Sequence, residues 1–143
     1  PYENYPDRKF GSLIDRYQHN IDELYFPYIR PQENGNRTDV RWLSFSDSDG
    51  TGVIVFGDQN FNFSAQRFSL ENLTNAKHTN ELRQDNSINI NIDHKMMGLG
   101  GDDSWNPRTH DEYLIHPGKY NYSYLFRFCD DVNKGLNDPV FYD

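Results

Sequence analysis

The chain has 143 residues, enough for one domain that buries about two-thirds of the surface of its unfolded state. Its 22 acidic and 14 basic residues give a net charge of −8, which argues against binding to nucleic acid or to an anionic membrane. Ten Tyr and ten Phe predict a core rich in aromatic cross-strand pairs.

The N-terminal part of the chain predicts irregular structure, because residues 1–36 hold four of the seven prolines. A helical turn is expected within Arg16–Tyr25. Strand-like runs follow at Val40–Phe45, Thr51–Gly57 and Phe61–Phe63. We expect turns between them at Asp49-Gly50 and at Asp58-Gln59-Asn60.

One helix is predicted over Leu70–Lys77, where Ser69 can cap the first turn. Ser87–Asp93 and Lys119–Cys129 then alternate apolar and polar residues with a period of two, which predicts strands with one packed and one solvated face. Glu112–Ile115 is a further strand-like run, followed by the turn signal His116-Pro117-Gly118.

These elements predict an all-β fold, an antiparallel β-sandwich with one short helix. We expect a single domain in which residues 1–36 pack on a sandwich core of residues 37–129. Residues 130–143 are expected to form a C-terminal tail. The chain starts at Pro1 without an initiator methionine, so we expect it to be a processed or excised piece. Its sequence therefore does not indicate to which cell compartment the protein is targeted.

The segment from Gly98 to Pro107 has the most specific composition. Its glycines, Gly98, Gly100 and Gly101, permit a loop with positive φ angles. Trp105 beyond this loop can offer its ring face to a sugar, although a Trp that anchors the loop in the core is the alternative. Asp102 and Asp103 are adjacent and should point to different sides, so we expect them to bond to loop N–H groups rather than form a glycosidase pair.

Four segments together resemble the C-terminal domain of the β-galactosidases of glycoside hydrolase family 2. They read Glu-x-Tyr-Pro-Asp-Arg from residue 3, Pro-Tyr-x-x-Pro-x-Glu-Asn-Gly from residue 27, Gly-x-Gly-Gly-Asp-Asp-Ser-Trp from residue 98, and Pro117-Gly118-Lys119-Tyr120-x-Tyr122. The resemblance covers residues 2–128. It implies the second half of a galactose-mutarotase-like supersandwich, so an apolar sheet face should be uncovered unless the sandwich closes again or the chain dimerises.

The resemblance also implies where the chemistry lies. In that family the catalytic carboxylates and a magnesium site belong to a separate barrel domain, which is the expected partner of this chain. The chain alone should therefore be inactive on lactose and hold no cofactor. Trp105 is the implied substrate-binding residue, helping to bind a galactoside at the mouth of the barrel. Gly98, Gly100 and Gly101 would shape its loop, and Asp102 and Asp103 would brace it.

Other polar residues have structural interpretations. We expect a network that ties the irregular segment to the sheet, formed by Asp7, Arg8, Glu33, Asn34 and Arg37. The five histidines lack metal-ligand spacing and the one cysteine, Cys129, fits a packed thiol, so no metal site is predicted. No apolar run is long enough to span a membrane.

Two other functions stay open at this point. The chain could be a free-standing carbohydrate-binding module that uses Trp105 as its main contact. It could instead be a mutarotase-like aldose epimerase, with Asp93 and His94 moving the anomeric proton.

Overall fold

A computed structural model of the chain describes residues 3–137. Within this range four strands form one antiparallel sheet: β1, Arg37–Ser46; β2, Gly52–Gln66; β3, Asn89–Asp93; and β4, Tyr124–Cys129. The long strand β2 pairs with β1 along one edge. Along its other edge it pairs first with β4 and then with β3. The predicted all-β antiparallel fold is confirmed, and the sheet is consistent with one layer of a sandwich.

The register places apolar residues of three strands side by side on one face of the sheet. Val55 of β2 lies opposite Leu43 of β1 and Phe126 of β4, and Val53 lies opposite Phe45 and Phe128. Residues directly opposite each other in an antiparallel pair share a face. We call this surface the open apolar face because Phe126 and Phe128 on it are exposed, although Leu43 and Val55 are buried. It consists of Leu43, Phe45, Val53, Val55, Phe126 and Phe128.

Part of the other face of the sheet is covered by a short helix, α2, from Val132 to Leu136, while Leu125 on the same face is 57% exposed. Val132 and Leu136 pack against Ile54, which is fully buried. Asp131 caps the helix, because its Oδ1 accepts a hydrogen bond from the Asn133 N–H at 2.9 Å. The sequence predicts only one helix and a tail from residue 130, so α2 is an addition to that prediction. Residues 138–143 of the expected tail lie outside the described residues.

The predicted helix forms as α1 over Leu70–Asn75, two residues shorter than expected. The Ser69 hydroxyl accepts a hydrogen bond from the Asn72 N–H at 3.2 Å, which is the predicted cap. Leu73 is the fully buried residue of this helix. In the segment Arg16–Tyr25, the expected helical turn is a single 3-10 turn at Ile21–Glu23.

The turn predicted at Asp58-Gln59-Asn60 is wrong, because β2 continues through it as a bulge. Between two pairings with β1, β2 advances from Phe56 to Phe61 while β1 spans only Val40 to Trp42. The bulged residues bond outside β1: the Asp58 N–H donates to the Ser123 carbonyl at 3.1 Å. The polar triplet therefore joins two parts of one long strand instead of separating two strands.

Two strand predictions extend too far or fall in the wrong place. Residues 119–123 are not strand, because the β4 ladder begins at Tyr124, opposite Gly57, where the β2 bulge starts. The strand expected at Glu112–Ile115 is wrong, since Asp111–Tyr113 forms a 3-10 turn. The Tyr113 carbonyl there accepts a hydrogen bond from the Gly98 N–H at 2.9 Å.

The face of β4 that the sequence predicts to be packed is largely exposed. Phe126 is 51% exposed and Phe128 is 82% exposed. Ile90 of β3 is also exposed, although it belongs to the apolar half of an alternating pattern. Residues 3–137 thus leave part of the open apolar face in contact with solvent, as expected for a sheet without its partner layer.

We expect Ile54→Ala to lower the free energy of unfolding by about 2–5 kcal/mol, because it creates a cavity between the sheet and α2. Ile29→Ala is the matched control, since that isoleucine is 95% exposed, and should change stability by less than about 0.5 kcal/mol. Urea unfolding of the chain followed by circular dichroism measures both. Equal effects of the two variants would contradict the assignment of Ile54 to the core.

Candidate functional site

The indole of Trp105 stands at the surface on the segment that joins β3 to β4. Trp105 is 94% exposed, so the alternative of a core Trp is not what the structure shows. Asp103 holds the backbone beneath it: its Oδ1 accepts hydrogen bonds from the N–H groups of Trp105 at 2.7 Å and Asn106 at 2.6 Å. These bonds form an Asx turn that fixes the local backbone, while both faces of the Trp105 ring stay accessible.

Asp102 has a different hydrogen-bond partner from Asp103. Its Oδ2 hydrogen-bonds to the Nε2 atom of His110, and this contact joins the two ends of the segment that carries Trp105. The hydrogen bond to Asp102 raises the pKa of His110 above its ordinary value. The two adjacent carboxylates therefore bind different partners and do not face one another across a common site.

Each of the three glycines of the loop is required for a different physical reason. A Cβ atom at Gly98 would lie only 2.8 Å from the Asp7 Cγ atom, so close packing requires glycine there. Gly100 has a φ of +69°, and a Cβ atom would lie 2.6 Å from the Pro107 carbonyl oxygen. Gly101 has a φ of +73° with open space around it, so its requirement is conformational alone.

Asp7 and Arg8 connect the N-terminal segment to this loop. Asp7 Oδ2 accepts a hydrogen bond from the Gly100 N–H at 2.8 Å, and Arg8 donates to the Gly100 carbonyl. The Arg8 Nη1 atom also lies 3.1 Å from Asp7 Oδ2. Burial opposes ionisation of Asp7, but backbone hydrogen bonds from Gly100 and Leu99, helped by Arg8, leave its pKa below the ordinary value.

Asn34 and Arg37, of the same predicted network, have different hydrogen-bond partners from Asp7 and Arg8. Asn34 is buried and accepts a hydrogen bond from the Phe26 N–H at 2.9 Å, while Arg37 donates to the Leu24 carbonyl at 3.1 Å. Glu33 is exposed. The predicted network is thus divided into at least two groups of contacts. Asp7 and Arg8 contact the glycine loop, whereas Asn34 and Arg37 stabilise the irregular segment around residues 24–37.

The sequence prediction missed Glu3, which organises this second cluster. Its Oε2 atom accepts hydrogen bonds from the Gly35 N–H at 2.7 Å and from the Tyr5 hydroxyl at 3.2 Å. Tyr28 donates to its other oxygen, and this hydrogen bond raises the pKa of Tyr28 to about 12. Glu3 opens the motif Glu-x-Tyr-Pro-Asp-Arg, so the motif was the available signal.

Of the pair that mutarotase-like chemistry would use, Asp93 is the last residue of β3 and His94 follows it. Burial raises the pKa of Asp93 above its ordinary value. The His94 ring stacks on Tyr122 with a centroid distance of 4.5 Å and an interplanar angle of 6°. One face of this imidazole is therefore occupied by a packed aromatic ring.

Within residues 3–137 there is no group of three or more His, Cys, Asp or Glu side chains placed to hold a metal ion. The described helices are all too short to cross a membrane.

Comparison with known families identifies the chain. Residues 1–128 match the family model described as β-galactosidase small chain. The chain belongs to this family. It is 49% identical over 123 residues to a β-galactosidase of Pseudoalteromonas haloplanktis, covering 86% of this chain and 11% of that protein. A β-galactosidase of Oenococcus oeni is 40% identical, over 90% of this chain and 12% of its own length. The chain therefore spans only about an eighth of these relatives.

We expect Asp7→Asn to lower the free energy of unfolding by about 1–3 kcal/mol at pH 7, because the buried carboxylate loses its charge beside Arg8 and the Gly100 N–H. The folded-state pKa of Asp7 is lowered, so its stabilisation is complete above the unfolded-state pKa of about 4 and is lost as pH falls through the folded-state value. The difference between wild type and variant should therefore shrink in acid.

Urea unfolding at pH 7 and at pH values below about 4 checks this prediction. Asp130→Asn is the control, because Asp130 is exposed and directly follows β4. A deficit of the Asp7 variant that stays constant from neutral pH to acid would contradict a role for the ionised carboxylate.

Proposed function

We propose that this chain is a non-catalytic β-sandwich part of a β-galactosidase, an enzyme that hydrolyses terminal β-D-galactosides such as lactose. In this proposal Trp105 contributes a stacking surface for the sugar at the entrance of an active site formed mainly by another part of the polypeptide. The almost complete exposure of the Trp105 ring on a braced loop is the observation that carries the proposal. Membership of the β-galactosidase small-chain family provides the substrate class.

The carboxylates of the loop support a non-catalytic role. Hydrolysis of a glycosidic bond requires two carboxyl groups on either side of it, about 5–5.5 Å apart for retention or about 6.5–9.5 Å for inversion. Asp103 is engaged by two backbone N–H groups and Asp102 by His110. Their work in the fold is to hold the loop, so the catalytic acids are assigned to the rest of the parent polypeptide.

The chemistry of indole suits the role proposed for Trp105. Its broad apolar face can pack against the CH groups on one face of a galactose ring, and its single N–H can find a polar partner at the rim. The hydrogen bonds from Trp105 and Asn106 to Asp103 hold the backbone near the ring before the sugar arrives. A preorganised contact of this kind loses less conformational entropy on binding than a free loop does.

The open apolar face supports the view that the chain works as part of a larger protein. Phe126 and Phe128 on this face are more than half exposed, and the match to this chain covers only 11–12% of the length of the related β-galactosidases. We assign the covering layer to the remainder of the parent polypeptide, including the part that completes the sandwich. A second copy of the chain is the competing occupant.

In the β-galactosidase polypeptide that contains this chain, we expect Trp105→Ala to lower kcat/KM for lactose by about 10-fold or more, because loss of an aromatic contact of this size removes roughly 1.5 kcal/mol or more of binding. Trp105→Tyr should retain most of the activity, since it keeps an aromatic face. Steady-state kinetics with lactose measures both variants. Unchanged kinetics of Trp105→Ala would refute the sugar-stacking role.

The same residue tests the function as a stand-alone carbohydrate-binding module, which the exposed ring also favours. That function predicts that millimolar lactose quenches the fluorescence of the 143-residue chain and that Trp105→Ala abolishes the response. Quenching in the isolated chain, combined with unchanged kinetics in the parent, would favour the binding module over the proposed role.

Phe128→Ala tests the assignment of the covering layer. In the isolated chain we expect it to change the free energy of unfolding by less than about 1 kcal/mol, because the ring is 82% exposed. In the parent polypeptide it should cost about 3–5 kcal/mol, the usual effect of truncating a buried phenylalanine. Equal small effects, measured by denaturant unfolding of both proteins, would show that the rest of the polypeptide leaves this face uncovered.

A further inference from the structure

A side-chain pair closes the segment that carries Trp105. The bond between His110 Nε2 and Asp102 Oδ2 joins positions three residues before and five residues after the tryptophan. Next to this pair, the Thr109 hydroxyl donates to the Gly98 carbonyl at 3.0 Å and so connects the far end of the segment to the glycine turn. The backbone that carries the indole is therefore held at both ends by side-chain hydrogen bonds.

We propose that His110 is a positioning residue for Trp105 and acts through its hydrogen bond to Asp102. The inference rests on the proposed function, in which the Trp105 ring receives the sugar. His110 need not touch the sugar in this arrangement. Its effect is to reduce the number of conformations of residues 102–110, so that the Trp105 ring is held in one position before the sugar binds.

The pair is exposed, and this exposure separates a positioning role from a structural one. The His110 side chain is 64% exposed and that of Asp102 is 58% exposed. An exposed ion pair contributes little to global stability, because water and salt screen it. Breaking the pair should therefore leave the fold intact and change only the loop that it closes.

The charges around His110 make this clamp dependent on pH. Asp102 binds the imidazole directly, and Glu112 and Asp7 also favour its protonated form. Arg8 is paired with Asp7 and reduces that contribution. Because the folded-state pKa of His110 is raised, the charged clamp is present below the ordinary histidine pKa and weakens as pH rises through the folded value. After it loses its proton, the neutral imidazole can still hydrogen-bond to Asp102, but it no longer carries a positive charge.

The kinetic test compares His110→Ala with His110→Gln in the parent β-galactosidase. Ala removes the donor, whereas Gln keeps an N–H group for Asp102 but does not titrate. We expect Ala to raise KM for lactose by about 2- to 5-fold, the range of an exposed pair, with a smaller change in kcat. Gln should stay close to wild type near neutral pH. The ratio of wild-type KM to Gln KM should rise as pH increases through the His110 pKa.

Equal KM values for wild type and Ala across this pH range would overturn the proposal, as would a lower kcat with unchanged KM. A loss of unfolding free energy in His110→Ala as large as that of a core variant would also overturn it, because the role would then be structural. Asp102→Asn should abolish the pH dependence in the same way as His110→Gln. A pH dependence that survives in both variants would assign the titration to another group.

A second readout separates failure of this inference from failure of the proposed function. In the 143-residue chain, the indole N–H resonance of Trp105, identified by its loss in Trp105→Phe, should shift with pH in wild type and stay fixed in His110→Gln. If Trp105→Ala leaves the parent's kinetics unchanged, the proposed function fails whatever this resonance does. If Trp105→Ala impairs kinetics but the wild-type resonance does not titrate, the His110 inference alone fails.

Discussion

The hydrogen bond between Asp7 and the Gly100 N–H joins two segments 93 positions apart, neither of which has regular secondary structure at that point. The Asp7 side chain is only 5% exposed, so its charge depends on this bond and on Arg8. The same carboxylate leaves no room for a Cβ atom at Gly98. The path of the loop to Trp105 therefore depends on an anion supplied by the first ten residues.

The sheet provides the frame for this loop, and within residues 3–137 the helix α2 covers only part of one side of it. The helix α2 covers Ile54 and its neighbours, whereas the open apolar face presents Phe126 and Phe128 to solvent. Such a surface is costly in a free-standing domain but ordinary at a boundary within a larger protein. The same chain thus combines an exposed aromatic ring at a polar loop with an exposed apolar sheet face, and the proposed function accounts for both by placing the chain next to another structural unit.

Local sequence signals were enough for much of the fold. The alternation in Ser87–Asp93 predicted β3, the Ser69 cap predicted α1, and the glycine loop was evident from composition. The turn at Asp58-Gln59-Asn60 was mispredicted because bonds to Ser123 and Asn121, far along the chain, keep the bulged residues within β2. The pairing of Asp102 with His110 was likewise not predictable, since it depends on a contact that tertiary structure creates. The motif Glu-x-Tyr-Pro-Asp-Arg pointed to Glu3, but not to its partners Gly35 and Tyr28.

The most direct test of this account is a crystal structure of the complete β-galactosidase polypeptide with a galactoside bound. The account predicts that the Trp105 ring lies within about 4.5 Å of the sugar or its leaving group, with the Asp7 bond to Gly100 intact. It also predicts that the catalytic carboxylates come from outside these 143 residues. A bound galactoside that contacts the acids while no atom of the Trp105 ring approaches it would contradict the account.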